Sequence, residues 1–489
     1  MNCIFWSQMS TRPGITRPMA CYVLARWLEE NNYTCQIVEF VHLFLAEELA
    51  EYTERFITKD TLYIGVSTSM WSTANEEMKR RSVDTSIPEN VKGAMDILKI
   101  KYPDIKFVAG GATTHTHSDD LDKFDVIIAD QYAEDSLLKF TDNLAQKQLG
   151  YKFKFRKPFD IDTFKFSWQK HDCLLPSESV PIETSRGCIF KCSFCRDPLL
   201  GKKPGTLERS YDALREEFIR NYNEFGISRY TIITETFNDD PKRIFMMERL
   251  AKSLPFKLEW ISWFRLDLIA KNPETIEAIA NSGCVGVFFG IETFHPEAAK
   301  AVKKGYQAKI AKEWITKLVD AWKGRVLIQT SFIVGLPYET EESIQEGIEW
   351  ISNSGVHAFV IYALTLGKST GISMFEDRPD LYGFKFGLYK PDGTPDLKYL
   401  YQWWKHDIMD YNRAKQLTGE LNRKYFARNN YSIFALPGKG WNQGKTTEEF
   451  TKLRNKILTD PDSAEDQWAT EERNFNEYKK MLLELDRTK

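Results

Sequence analysis

Three thiols close together in a chain can do only a few kinds of chemistry. The run Glu183-Thr184-Ser185-Arg186-Gly187-Cys188-Ile189-Phe190-Lys191-Cys192-Ser193-Phe194-Cys195 supplies three at one point. A closed structural zinc site wants four ligands, whereas a cubane iron-sulfur cluster held by three cysteines leaves one iron open to another ligand. Cys188, Cys192 and Cys195 are therefore the expected metal-binding and catalytic residues. Gly187 lets the backbone turn tightly before the first thiol, and Phe194 can shield a sulfur-rich centre from water. The alternative is a zinc knuckle that borrows His171, Cys173 or Asp197 as its fourth ligand, in a non-catalytic binding protein. A disulfide framework fits poorly, because the trio is odd and Cys3, Cys21, Cys35, Cys173 and Cys284 lack framework spacing.

The elements that must position these thiols are short apolar runs alternating with helical patterns, the mark of a parallel sheet wrapped by helices. Six runs follow this rule: Val180 to Glu183, Tyr230 to Thr234, Leu258 to Ser262, Val285 to Ile291, Val326 to Val334 and Ala358 to Leu364. Amphipathic stretches fall between them at Leu207 to Glu224, Pro241 to Lys252, Pro273 to Asn281, Gln307 to Trp322 and Glu341 to Ser352. The expected fold is a partial (β/α)6 TIM-like barrel over residues 176–370, whose site sits at the strand carboxyl ends. The cysteine loop directly follows the first strand and so lands on that face. The same rule nominates Thr234, Glu235 and Thr236 after the second strand and Arg265 with Asp267 after the third. Glu292 and Thr293 follow the fourth strand, and Ser331 with Gly335-Leu336-Pro337 the fifth.

Thr184-Ser185-Arg186-Gly187-Cys188 through Cys195 resembles the signature of the radical S-adenosylmethionine superfamily. The resemblance implies a 4Fe-4S cluster whose open iron is chelated by S-adenosylmethionine, and cleavage of the sulfonium to methionine and a 5'-deoxyadenosyl radical. It further implies an electron donor such as flavodoxin or ferredoxin. Ile233-Thr234-Glu235-Thr236-Phe237-Asn238 is similar to the segment that receives the amino group of S-adenosylmethionine. Trp263-Phe264-Arg265-Leu266-Asp267 resembles the motif whose arginine lies near the methionine carboxylate. Phe289-Gly290-Ile291-Glu292-Thr293 and Lys303-Lys304-Gly305 resemble the fourth-strand motif and the basic segment after it. Phe332-Ile333-Val334-Gly335-Leu336-Pro337-Tyr338-Glu339-Thr340 is similar to the fifth-strand turn beside the adenine.

Residues 1–150 read as another α/β unit. Strands are expected at Asn2 to Trp6, Thr34 to Phe40, Leu62 to Ser67, Lys106 to Ala109 and Asp125 to Ala129. Helices are expected at Pro18 to Asn31, Glu89 to Lys101 and Glu134 to Asn143. This is a doubly wound, Rossmann-like pattern, which binds ligands outside its strand carboxyl ends. Before a radical barrel it resembles the cobalamin-binding domain of the B12-binding subfamily, with Ser67 and Thr68 as its hydroxyl pair and Gly110 and Gly111 as its glycine pair. The implied activity is methyl transfer from methylcobalamin to an unactivated carbon, the alternative being cobalamin-independent radical oxidation, cyclisation or rearrangement. The chain departs from that pattern in lacking a DxHxxG around His42 and in reading Ala129-Asp130-Gln131-Tyr132-Ala133-Glu134 where a glycine-rich segment would stand. His115 and His117 follow the glycine pair in a loop.

Residues 151–175 read as a linker and 371–489 as a mainly helical C-terminal region. In that region Lys398 to His406 is expected to open a helical tail, and Thr446 to Leu458 and Glu465 to Leu485 to be surface helices. With 489 residues, 42% hydrophobic, the chain can build two or three cores. A net charge of -3 without long charged blocks gives nucleic acid no electrostatic footprint. No apolar stretch reaches transmembrane length, and Met1-Asn2-Cys3-Ile4-Phe5-Trp6 lacks a basic leader region, so a reducing, cytoplasmic setting is expected. The substrate, a small molecule or a peptide, is not legible.

Overall fold

The computed structural model describes residues 1–7, 17–68, 87–111, 123–128, 130, 132–146, 159–172, 174, 178–195, 201–304, 308–366, 373–386, 404–425, 445–459, 476–477, 479–480 and 482–484. His115, His117, Cys173, Asp197 and Gly305 lie outside these residues. The chain divides into two compact units, Met1–Pro176 with Ala464–Lys489, and Ser177–Ser463. Among the described residues no helix is long and apolar enough to cross a membrane.

In the first unit β1 (Asn2–Trp6), β2 (Thr34–Val38), β3 (Thr61–Ser67), β4 (Lys106–Gly110) and β5 (Val126–Ile128) form one parallel sheet in the order β2-β1-β3-β4-β5. This is the doubly wound order whose direction reverses at β1 and β3, so a crevice opens beyond their carboxyl ends. Helices α1 (Met19–Glu30), α2 (Ala46–Glu54), α3 (Glu89–Lys101) and α4 (Ala133–Ala145) complete the unit. Helix α2 had no counterpart in the sequence reading, since its AEELAEYTE run is short and half acidic. Ile4, Trp6, Val38, Ile64 and Phe107 fill one core. Leu482 is fully buried in that same core, and Lys479 pairs with Glu48, so the expected surface helix over Glu465 to Leu485 carries a core residue.

Residues 159–172 are packed rather than extended. Phe159 and Phe164 meet Trp27 edge-on, Trp168 meets Tyr22, and Asp172 takes a two-oxygen pairing from Arg26 at 2.6 and 2.7 Å.

The second unit is a run of β/α steps. Strands β6 (Val180–Ile182), β7 (Arg229–Ile232), β8 (Glu259–Phe264), β9 (Cys284–Glu292), β10 (Leu327–Val334) and β11 (Ala358–Ala363) lie in sequence order, all parallel. No ladder joins β11 to β6 among the described residues, which leaves the barrel incomplete. The strands are almost wholly apolar because parallel strands are covered on both faces, and Val287, Phe289 and Ile291 of β9 are fully buried. The helices are α5 (Tyr211–Phe225), α6 (Pro241–Ser253), α7 (Leu266–Lys271), α8 (Thr275–Asn281), α9 (Pro296–Val302), α10 (Ala308–Trp322) and α11 (Glu341–Asn353). Their starts are chemically marked: Ser210 and Thr340 cap α5 and α11, and Asp240-Pro241 opens α6.

One expectation is corrected after the barrel. Trp404–Lys405 is a strand, β13, antiparallel to β12 (Lys385–Phe386), rather than part of a helix. Trp404 is buried and donates its indole N–H to the Leu364 carbonyl at 2.8 Å, so its contacts fix a two-residue period in place of a helical one. The helix of this region begins later, at Tyr411–Lys424.

Candidate active site

The cysteine loop leaves β6 and is fastened at several points. Buried hydroxyls of Thr184 and Thr234 meet at 3.0 Å, and Thr234 also donates to the Ser185 carbonyl at 3.3 Å, tying the exits of β6 and β7 together. Arg186 forms a fork with Glu183 at 2.7 and 3.0 Å. Gly187 has φ 83°, the left-handed turn its lack of a Cβ permits. The Cys188 carbonyl accepts from the amides of Gly201 and Lys202, Cys195 N–H from the loop returns to the Cys192 carbonyl at 3.0 Å, and Ser193 N–H reaches Val302.

Each sulfur has its own surroundings. Cys188 is buried, and its Sγ lies 3.4 Å from the Thr236 hydroxyl; burial raises its thiol and that hydrogen bond opposes the shift. Cys192 accepts from the Arg265 guanidinium at 3.3 Å. Cys195 is half-buried. Among the described residues no three His, Cys, Asp or Glu side chains already stand at metal-coordinating spacing, so the three sulfurs share a loop rather than a point. A donor set of three thiolates is soft, which favours iron-sulfur chemistry over hard cations.

The other predicted positions of the barrel fall at or just past the strand ends, except Ser331, which lies inside β10. Glu235 is exposed after β7. Arg265, expected beside a carboxylate of the ligand, is buried and pairs with Asp267 through two bonds of 2.9 Å. Its backbone is held by Asn238, whose side chain both donates to the Arg265 carbonyl and accepts from its N–H at 2.8 Å. Glu292 has φ 68°, a left-handed conformation that costs a non-glycine residue about 1–3 kcal/mol and that must be over-determined by its contacts. Those contacts are Lys304 at 3.0 Å and the Ser331 hydroxyl at 3.2 Å, and the ion pair lies across Gly290, where a Cβ would come 2.8 Å from Lys304 Nζ. Gly335 has φ 100° and faces the Trp404 ring, with His406 Nε2 3.2 Å from its carbonyl. Pro337 follows in the same turn, and Tyr338 beyond it has φ 71°.

Sequence reasoning named Asn238, Trp404, His406 and Glu339 without their partners. Asn238 had no local pattern to betray its backbone-mimicking amide, and the contact of Trp404 and His406 with Gly335 is long-range. Glu339 is buried with its Oε1 accepting from Thr293 at 2.7 Å and its Oε2 without a hydrogen-bond partner, and burial pushes its carboxyl up to about 8.

In the first unit a crevice of about 120 Å³ opens at the carboxyl ends of β1, β3, β4 and β5, with Cys21, Gly65, Ser67, Gly110, Gly111 and Asp130 on its walls. Gly110 has open space in front of it, its nearest neighbour being the Ile128 carbonyl at 3.8 Å. Thr68 is directed elsewhere: its N–H and hydroxyl both donate to the Gly110 carbonyl, at 2.8 and 3.1 Å, locking β3 to β4. Ser67 lies beside the Cys21 thiol, which burial pushes up to about 12. Asp130 accepts from Ser136 and the Tyr132 N–H at the start of α4.

Residues 182–351 match the sequence model of the Radical SAM superfamily. The chain is 25% identical over 235 residues to bacteriochlorophyllide d C-12(1)-methyltransferase of Chlorobaculum tepidum, a match covering 47% of this chain and 50% of that protein. The C-8(2)-methyltransferase of the same organism matches at 23% over 207 residues, 41% of this chain and 45% of that protein. The chain thus spans about half the length of the curated relatives it matches. Its fold is similar to that of the radical S-adenosylmethionine methyltransferase TsrM from Kitasatospora setae, with a TM-score of 0.64, 14% identity, and coverage of 95% of this chain and 99% of that one. The cobalamin-dependent S-adenosylmethionine radical enzyme OxsB superposes with a TM-score of 0.60 at 12% identity, over 87% of this chain and 67% of that one. Residues 182–351 thus match a radical S-adenosylmethionine domain, and the fold of the chain is similar to the solved folds of TsrM and OxsB.

Proposed function

We propose that this chain is a radical S-adenosylmethionine enzyme that methylates an unactivated carbon with the help of cobalamin. The observation that carries the reading is a loop of three thiols fixed at the carboxyl end of a six-stranded parallel barrel, the face on which such barrels do chemistry. When bound, a 4Fe-4S cluster supplies the low-potential electron that cleaves S-adenosylmethionine to a 5'-deoxyadenosyl radical, and methylcobalamin supplies the methyl group.

In this reading Cys188, Cys192 and Cys195 hold the cluster, and residues 176–370 form the catalytic barrel. Thr234, Glu235, Thr236, Glu292, Gly335 and Pro337 at the strand ends, with Ser331 inside β10, mark where S-adenosylmethionine would lie, with Glu235 exposed to accept from an ammonium. Phe190 and Phe194 flank the cysteines in sequence and would shield a bound cluster from water, which both tunes its potential and protects a radical. The Glu292–Lys304 pair and Ser331 hold a strained turn at the mouth, ready to be re-paired by a charged ligand. Residues 1–150 form the cobalamin unit, where the apolar crevice and the open backbone at Gly110 suit a flat ring, and Ser67, Gly110 and Gly111 are the residues that would meet it. The substrate is a small molecule or a peptide, and a flavodoxin or ferredoxin in a reducing cytoplasm would provide the electron.

A second reading is favoured by one observation. The Thr68 hydroxyl is committed to the Gly110 carbonyl rather than to a ligand, which fits a unit without cobalamin and a radical oxidation, cyclisation or rearrangement. Protein purified without oxygen from cells supplied with hydroxocobalamin separates the two. Bound corrinoid on extraction, with 5'-deoxyadenosine formed from S-adenosylmethionine and dithionite, supports methyl transfer. Deoxyadenosine without corrinoid supports the second reading, and neither product overturns both.

A further inference from the structure

Arg265 makes more contacts with the protein than a ligand-binding arginine can spare. Its Nη1 donates to Cys192 Sγ at 3.3 Å, its Nε and Nη2 grip both oxygens of Asp267 at 2.9 Å, and Nη2 also reaches the Lys304 carbonyl. The guanidinium lies 3.9 Å over the Phe190 ring, two residues before the same cysteine. It is buried, and Asn238 pins its backbone from both sides. Two of these contacts, the N–H···S bond to Cys192 and the stacking on Phe190, reach the cysteine loop, and the others to Asp267, Lys304 and Asn238 hold the guanidinium in place for them.

We propose that Arg265 is a positioning residue for the cysteine loop, holding Cys192 by an N–H···S bond and Phe190 by stacking, and thereby setting the reduction potential of the cluster that the loop carries. The inference rests on the cluster assignment given under the proposed function. The physical reason is that hydrogen bonds to ligand sulfurs and nearby charge are among the terms that set iron-sulfur potentials. A donor on sulfur draws electron density from the thiolate and favours the more negative, reduced cluster. Asp267 opposes this by offsetting the guanidinium charge. The two residues should therefore move the potential in opposite directions.

The experiment is a redox titration of the reconstituted full chain, followed by electron paramagnetic resonance without S-adenosylmethionine, on wild type and the variants R265M, R265K and D267N. R265M should shift the midpoint to more negative values and speed loss of iron to a chelator. D267N should shift it to more positive values. R265K keeps the charge but loses the fork and the stacking, and should fall between R265M and wild type. Because R265M leaves Asp267 half-buried and unpaired, the double variant R265M/D267N keeps the test usable if the single one fails to fold; its midpoint should also lie below that of D267N. Unchanged midpoints in folded variants, with S-adenosylmethionine binding lost in R265M, would overturn the proposal and return the arginine to ligand recognition. A wild-type chain that takes up no iron and sulfide would instead sink the cluster reading itself, so the two failures are distinct.

Discussion

Replacing Gly335 by alanine tests whether the segment after β11 packs on the turn after β10 in the way the structure shows. Two costs follow from position. The residue has φ 100°, where a side chain is strained by about 1–2 kcal/mol relative to glycine. The added methyl would also meet the buried Trp404 ring, with Cζ2 at 2.7 Å and Ala414 Cβ at 3.2 Å, and Trp404 cannot retreat without giving up its bond to the Leu364 carbonyl. Overpacking of this kind costs about 1–3 kcal/mol. The expected loss is therefore about 2–5 kcal/mol, or roughly 5–15 °C in melting temperature for a unit of this size. Differential scanning calorimetry and indole fluorescence read it, with W404F as a second background. There the steric part should vanish and the backbone part remain, so the two substitutions should couple by about 1–3 kcal/mol. An equal cost of G335A in both backgrounds, or a cost below about 0.5 kcal/mol in either, would refute the packing argument.

Other outcomes follow from single contacts. Burial raises the Glu339 carboxyl from 4.5 to about 8, so its contribution to stability is complete below the unfolded value and is lost as pH rises through the folded one. Urea unfolding should show wild type losing up to about 1.4 kcal/mol per pH unit across that window relative to E339Q, and parallel pH profiles would show that Glu339 is not the titrating group. C192A should abolish cluster assembly and 5'-deoxyadenosine formation together, whereas E235A should keep the iron and sulfide content and weaken S-adenosylmethionine binding; an intact, working cluster in C192A would exclude Cys192 as a ligand. G110A should fold normally, because a Cβ at Gly110 meets only the Ile128 carbonyl at 3.8 Å, yet lose hydroxocobalamin binding at least about tenfold, an affinity change worth about 1.4 kcal/mol. Unchanged corrinoid affinity in G110A would place the cofactor elsewhere.

Much of the fold was written in local pattern. The nine-residue apolar strand Cys284–Glu292 and the alternating helices read directly as a β/α series, because burial on both faces of a parallel strand leaves no polar interruption. Short elements escaped: Leu266–Lys271 and Pro296–Val302 are too brief to show a periodicity. The Trp404–Lys405 strand was misread as helix because its conformation is set by Leu364 and Gly335, residues distant in sequence. At the site the positions were legible and the partners were not. Arg265 and Glu292 stand at strand ends as their order required, Cys188 in the loop after β6 and Ser331 still inside β10, but that Arg265 turns to Cys192 and Asp267, and that Thr68 turns to Gly110, depends on three-dimensional neighbours that no spacing encodes.

The most direct test is elemental and spectroscopic analysis of the chain purified without oxygen, before and after S-adenosylmethionine is added. The account predicts about four iron and four sulfide per chain, as a cubane cluster contains. It also predicts a reduced-state paramagnetic signal that changes when S-adenosylmethionine takes the open iron. Zinc without sulfide, or a cluster whose signal ignores S-adenosylmethionine, would contradict it.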